Sequence, residues 1–128
     1  ARGPVAMITV LVIDRDPMVR LIVRRVLERA GIAVIAVTDA LTALRRLASL
    51  RMDLVICEIG TPGSDGTDTI AEIGRADPQA PILALSDKAR EVTAAPQRMV
   101  ALLSKPFTES ELLTAVRRSL ARPPSHET

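Results

Sequence analysis

A chain of 128 residues with a formal charge of +2 and 48% hydrophobic residues has the length of one domain around one core. Its apolar content excludes disorder throughout. No apolar run reaches the roughly 18 residues of a membrane span and no signal-peptide pattern opens the chain, so a soluble, cytoplasmic domain with no membrane partner is expected.

Met7 to Ile13, "MITVLVI", is the first of five short apolar runs. Asp16 and Pro17 then read as the N-cap and first residue of a helix with its stripe on Val19, Ile22, Val23, Val26, Leu27 and Ala30. Gly31 stops it. The second run is "IAVIAV", Ile32 to Val37, followed by a helical stripe on Ala40, Ala43, Leu44, Leu47 and Ala48. The third, "LVIC", Leu54 to Cys57, ends on the carboxylate Glu58 just beyond it. A short helix after Gly66 carries Ile70 and Ile73. "ILAL", Ile82 to Leu85, is the fourth run, and the segment from Asp87 to Met99, with a proline and almost no stripe, predicts a short or frayed helix. "VALL", Val100 to Leu103, precedes a last helix that opens on the capping box Thr108-x-x-Glu111 and buries Leu112, Val116 and Leu120. The tail "RPPSHET", residues 122–128, reads as a disordered end or linker stub, which leaves one domain over residues 1–121.

The runs are continuous rather than alternating, as in parallel strands covered on both faces. Strand and helix in alternation imply an α/β fold, a parallel sheet wound right-handedly with helices on both faces. One cysteine makes no internal disulfide, and Cys57, inside an apolar run, reads as core. No His/Cys cluster offers a zinc site, and the lone His126 sits in the tail. Fifteen of the seventeen basic residues are arginines scattered over several helices, and Phe107 is the single aromatic, a poor nucleic-acid surface.

In open α/β sheets the active crevice lies at the carboxyl ends of the strands. There stand Asp14, Arg15 and Asp16 after the first run, Glu58 after the third, Ser86 after the fourth, and Ser104, Lys105 and Pro106 after the fifth. One polar strand end is ordinary, but four on one edge point to a site.

The stretches "VLVIDRDPMVR", "DLVICEIGTPGSDG", "LALSDK" and "LLSKPF", in this order, resemble the receiver domain of two-component response regulators from about Ile8 to Leu120. The resemblance implies a flavodoxin-like fold, a five-stranded parallel sheet in the order 2-1-3-4-5. It also implies transfer of a phosphoryl group onto an aspartate after the third strand. In that chemistry a divalent metal is held by the aspartate, an acidic pair after the first strand and a backbone carbonyl, while a Ser or Thr and a Lys bind the phosphoryl oxygens. Position by position, Asp14 matches the first acid, Gly60 the carbonyl donor, Ser86 the hydroxyl residue and Lys105 the lysine. Pro62, Gly63, Asp65 and Gly66 match the turn after the acceptor.

Two positions depart. The acceptor position holds Glu58 and the second acid is replaced by Arg15, while Asp16 is better explained as a helix cap. A misplacement of about 1 Å costs ~100-fold in a reaction that depends on alignment, so glutamate is expected to be a poor acceptor. Asp14 and Glu58 are balanced by Arg15 and Lys105, which leaves Mg²⁺ little attraction. Arg15, alone or with Lys105, is therefore expected to replace the metal and pair with Glu58 through its planar fork. A Glu58–Lys105 pair could also imitate the phosphorylated state, but the aromatic that the family reorients, three residues before the lysine, is Leu102 here.

The expected function is that of a degenerate receiver in two-component signalling: no enzyme, no cofactor, and no bound Mg²⁺. It would act as a phosphorylation-independent interaction module for a histidine kinase or downstream effector, with a homodimer formed through the last helix and strand. The alternatives are a working phosphoacceptor of a phosphorelay, as a stand-alone chain or as part of a larger regulator or hybrid kinase, and a flavodoxin-like cofactor protein. Against the last, this sequence has no Trp or Tyr to stack on a flavin and no phosphate-cradling loop after the first strand.

Overall fold

In the computed structural model, residues 7–59, 66–86 and 99–121 are described. Strands β1 (Thr9–Ile13), β2 (Ala33–Val37), β3 (Leu54–Ile59), β4 (Ile82–Ser86) and β5 (Met99–Ser104) are joined by helices α1 (Pro17–Arg29), α2 (Ala40–Leu47) and α3 (Gly66–Ala76), and α4 (Glu109–Ala121) follows β5. Every strand neighbour is parallel, in the order β2-β1-β3-β4-β5, which is the order that the resemblance implies. The stretch between β4 and β5, read as a short or frayed helix, lies outside the described residues, as does the tail 122–128.

Successive side chains on a strand point to opposite faces, and the core divides accordingly. Leu11, Ile13, Val55, Cys57, Ile82 and Ala84 pack with Ala43 and Leu47 of α2 and Ile70 and Ile73 of α3. Val10, Val12, Leu54, Ile56, Leu83 and Leu85 pack on the other side with Val23, Val26 and Leu27 of α1 and Leu112 and Val116 of α4. The sheet is thus buried on both faces, which is why its strands read as unbroken apolar runs.

Local chemistry sets the helix ends. The Asp16 carboxylate accepts from Met18 N at 2.9 Å, with Pro17 as first helical residue, as the sequence predicts. At the other end of α1, Gly31 at φ 83° lets its own N–H reach Glu28 O and Ile32 N reach Leu27 O, both at 3.0 Å. These are the paired bonds of a Schellman motif, and Ile32 and Leu27 are both buried in the same apolar cluster. Asp39 caps α2 through Thr42 N at 2.8 Å, and that backbone bond holds its carboxyl below the usual range. Thr108 and Glu111 form the reciprocal capping box of α4, at 2.8 and 3.0 Å.

Four expectations are corrected. Ile22 is 43% exposed, because α1 buries a narrower stripe of Val23, Val26 and Leu27. Ala30 and Ala48 are exposed C-cap residues rather than core positions. β1 begins at Thr9, where its pairing with β2 begins, so Met7 and Ile8 are exposed. Glu58 lies inside β3 rather than beyond it, since β3 pairs with β4 as far as Ile59 opposite Ser86.

Candidate functional site

The carboxyl edge of the sheet brings four of the anticipated side chains together. Asp14 follows β1 with its side chain fully buried. Its Oδ1 accepts from Asp16 N at 2.9 Å, and its main-chain oxygen accepts from Arg20 Nη1 at 2.7 Å. Oδ2 accepts no well-directed hydrogen bond among the described residues; what faces it is the Lys105 ammonium, 2.9 Å away. That contact sets an ammonium directly against the buried carboxylate.

Glu58 reaches the same cleft from β3. Its Oε1 accepts from Arg15 N at 3.1 Å and lies 3.8 Å from Arg15 Nε, while Oε2 lies 3.7 Å from Lys105 Nζ. The Lys105 and Glu58 side chains are each 13% exposed, against 62% for Arg15. Glu58 thus pairs with Arg15 and Lys105 together, as expected, though the Arg15 contact runs through Nε and the main-chain N–H, and the guanidinium stands at the rim. The physical reason is position, since Arg15 sits in the exposed turn between β1 and α1.

Ser86 ends β4, buried, opposite Ile59 on one side and Ser104 on the other. Its carbonyl accepts from Lys105 N at 2.7 Å, which anchors the start of the Lys105–Pro106 turn, a cis peptide. Arg15, Asp16, Pro17, Glu58 and Lys105 line an open cleft of about 460 Å³. Gly60, Pro62, Gly63 and Asp65, matched to the turn after the acceptor, lie outside the described residues. Beneath the cleft, Cys57 is 1% exposed, and burial, with Glu58 and Asp14 nearby, pushes its thiol up to about 12.

One contributor escaped the sequence reading. Arg20, one of the arginines scattered over the helices, clamps the Asp14 carbonyl. Its place one turn past the Asp16 cap, where Arg20 N bonds Asp16 O, is the signal that could have found it.

Residues 10–117 match the family described as response regulator receiver domain. The chain is a response regulator receiver domain. Among its relatives, the DNA-binding transcriptional regulator NtrC of Rhizobium meliloti (strain 1021) is 32% identical over 118 residues, 90% of this chain and 24% of that protein. The chain spans about a quarter of the length of the curated relatives it matches. The signal receiver domain of an HD domain-containing protein from Pseudomonas fluorescens Pf-5 superimposes with a TM-score of 0.81 at 27% identity, covering 90% of this receiver and 95% of that chain. The response regulator TrrA from Thermotoga maritima, solved in complex with Mg(2+)-BeF, does so with a TM-score of 0.77 at 26% identity over 88% and 98%. Receiver domains are signalling modules of two-component systems, phosphoryl acceptors rather than enzymes in the usual sense. They act with histidine kinases and effector domains.

Proposed function

We propose that this receiver works without phosphorylation, as a protein-interaction module whose shape is held by its own charges. The observation that carries the reading is Glu58. It stands at the acceptor position with Arg15 N on one oxygen at 3.1 Å and the Lys105 ammonium 3.7 Å from the other. Its extra methylene displaces the would-be nucleophile from the place an aspartate gives it, and alignment governs phosphoryl transfer.

The residues do not fit a divalent cation. Mg²⁺ asks for hard oxygen ligands in near-octahedral array. Here an arginine stands where the family has its second acid, and Asp14 and Glu58 are balanced by Arg15 and Lys105 without a metal. Among the described residues no three His, Cys, Asp or Glu side chains converge. In β5, Leu102 occupies the position of the family's switching aromatic, which supports a fixed conformation over a switched one.

The output contact in this reading is a second copy of the chain, alongside a kinase or effector partner. A groove of about 350 Å³ between β5 and α4 is lined by exposed Leu102 together with Glu111 and Arg118. A two-fold interface needs a surface that complements itself, and an acid and a base in one groove provide it. Light scattering should show a mass that rises with concentration, and Leu102→Asp with Arg118→Glu should hold the chain monomeric.

The test of the main reading is an amide NMR titration with Mg²⁺ and then beryllofluoride, with phosphoryl incorporation from acetyl phosphate alongside. The wild type should respond to neither, and Arg15→Asp/Glu58→Asp should recover both. Saturating shifts around Asp14, Glu58, Ser86 and Lys105 in the wild type would restore an ordinary phosphorylation switch.

A further inference from the structure

β2 stands at the edge of the sheet, with β1 on one side and no strand on the other. Ala33 N bonds Ile8 O at 2.9 Å and Asp14 N bonds Val37 O at 3.2 Å. Ala33, Ile35 and Val37 therefore turn their main-chain groups to β1, and Val34 and Ala36 turn theirs outward. An open edge of this kind is a template for a further strand unless something blunts it. The strand itself carries nothing that would. The run from Ile32 to Val37, "IAVIAV", has no charge, no proline and no glycine, the composition of a segment that pairs with its own copy. We infer that Arg24 is the guard of this edge, and that the outer edge of β2 is a pairing surface for a second copy of the chain once the guard is removed.

The guanidinium reaches the edge from α1. Its Nη2 donates to Val34 O at 3.2 Å, and its Nε donates to Glu28 Oε2, also at 3.2 Å. One planar fork thus occupies an outward acceptor of β2 while a carboxylate one turn along the helix fixes its plane. Helix stability does not account for this pair. Both side chains are about half exposed, an exposed pair of this spacing contributes little, and arginine before glutamate is the less favourable order. What the pair does is hold a charge against the strand. A strand seated on Val34 would have to take its carbonyl from Arg24 and desolvate the guanidinium. Among the described residues, Val34 N and both main-chain groups of Ala36 have no hydrogen-bond partner. Val34 and Ala36 each present one outward donor and one outward acceptor, so two copies of β2 related by a two-fold axis satisfy each other in antiparallel register.

The test compares two neighbouring arginines. Arg24→Ala and Arg25→Ala remove the same charge, but it is Arg24 that bonds the strand. Both are placed in Leu102→Asp/Arg118→Glu, which closes the groove between β5 and α4 to a second copy. Arg24→Ala should then double in mass by light scattering as concentration rises, with amide exchange slowing at Val34 and Ala36. Arg25→Ala should stay monomeric, with both amides exchanging freely. Ala36→Pro removes an outward N–H and no bond to β1, so adding it should return Arg24→Ala to the monomer. Equal behaviour of the two alanine variants, or protection gained only in β5 and α4, would overturn the inference. So would slow exchange of the Val34 and Ala36 amides in the dilute wild type, a measurement that requires no variant to fold, because the edge would then be covered by something other than Arg24.

Discussion

Cys57 carries a consequence of the charged cleft that chemistry can read. Its thiol is pushed up to about 12 by burial first and by Glu58 and Asp14 second. Well below pH 8 the thiol is protonated in the folded and the unfolded chain alike, so it contributes nothing to pH dependence there. Above that the unfolded chain ionises first, and stability should fall as pH climbs from 9 toward about 12. At pH 8 iodoacetamide should leave native Cys57 unmodified and alkylate it fully in urea, a contrast that mass spectrometry resolves. Lys105→Met should cost about 3–5 kcal/mol in a urea melt, because it strands the buried Asp14 carboxylate. Asp14→Asn/Lys105→Met should recover part of that loss. The residues of this cluster were legible in the sequence because each is a polar group directly after an apolar run. Which cation serves which anion was not. Arg15 and Lys105 both have stems long enough to reach Glu58, and only the fold shows one held inside and the other at the rim.

At the level of single elements, the caps are the most legible features and yield the sharpest tests. Gly31 at φ 83° has open space around the position of a Cβ, so Gly31→Ala should cost about 1–2 kcal/mol from the backbone alone, without a clash. Thr108→Ala should lower stability by about 1 kcal/mol by removing one half of the α4 capping box. Both are read from denaturant midpoints at unchanged m. Boundaries were less legible. Glu58 looks like a terminus in the sequence because its side chain is charged, but β3 continues through it since β4 offers partners up to Ser86. Ile22 fits the helical period yet lies exposed, because which part of an apolar stripe is covered depends on how the helix seats on the sheet.

For the molecule as a whole, alternation of strands and helices implied a parallel, right-handed sheet. The order β2-β1-β3-β4-β5 came only with the family resemblance, since apolar runs carry no record of their neighbours. Two apolar layers share that one sheet, so neither can melt alone. Leu83→Ala should cost about 2–5 kcal/mol, and loss of helical circular dichroism should coincide with loss of amide signals from both faces. The bridge from Lys105 to Asp14 then bears on how the chain assembles. The carboxylate belongs to the first strand's turn and its counter-ion arrives only after the last strand. Burial of the Asp14 carboxylate beside its counter-ion therefore requires β5 to be in place. One charge pair thus ties the first strand of the sheet to the last.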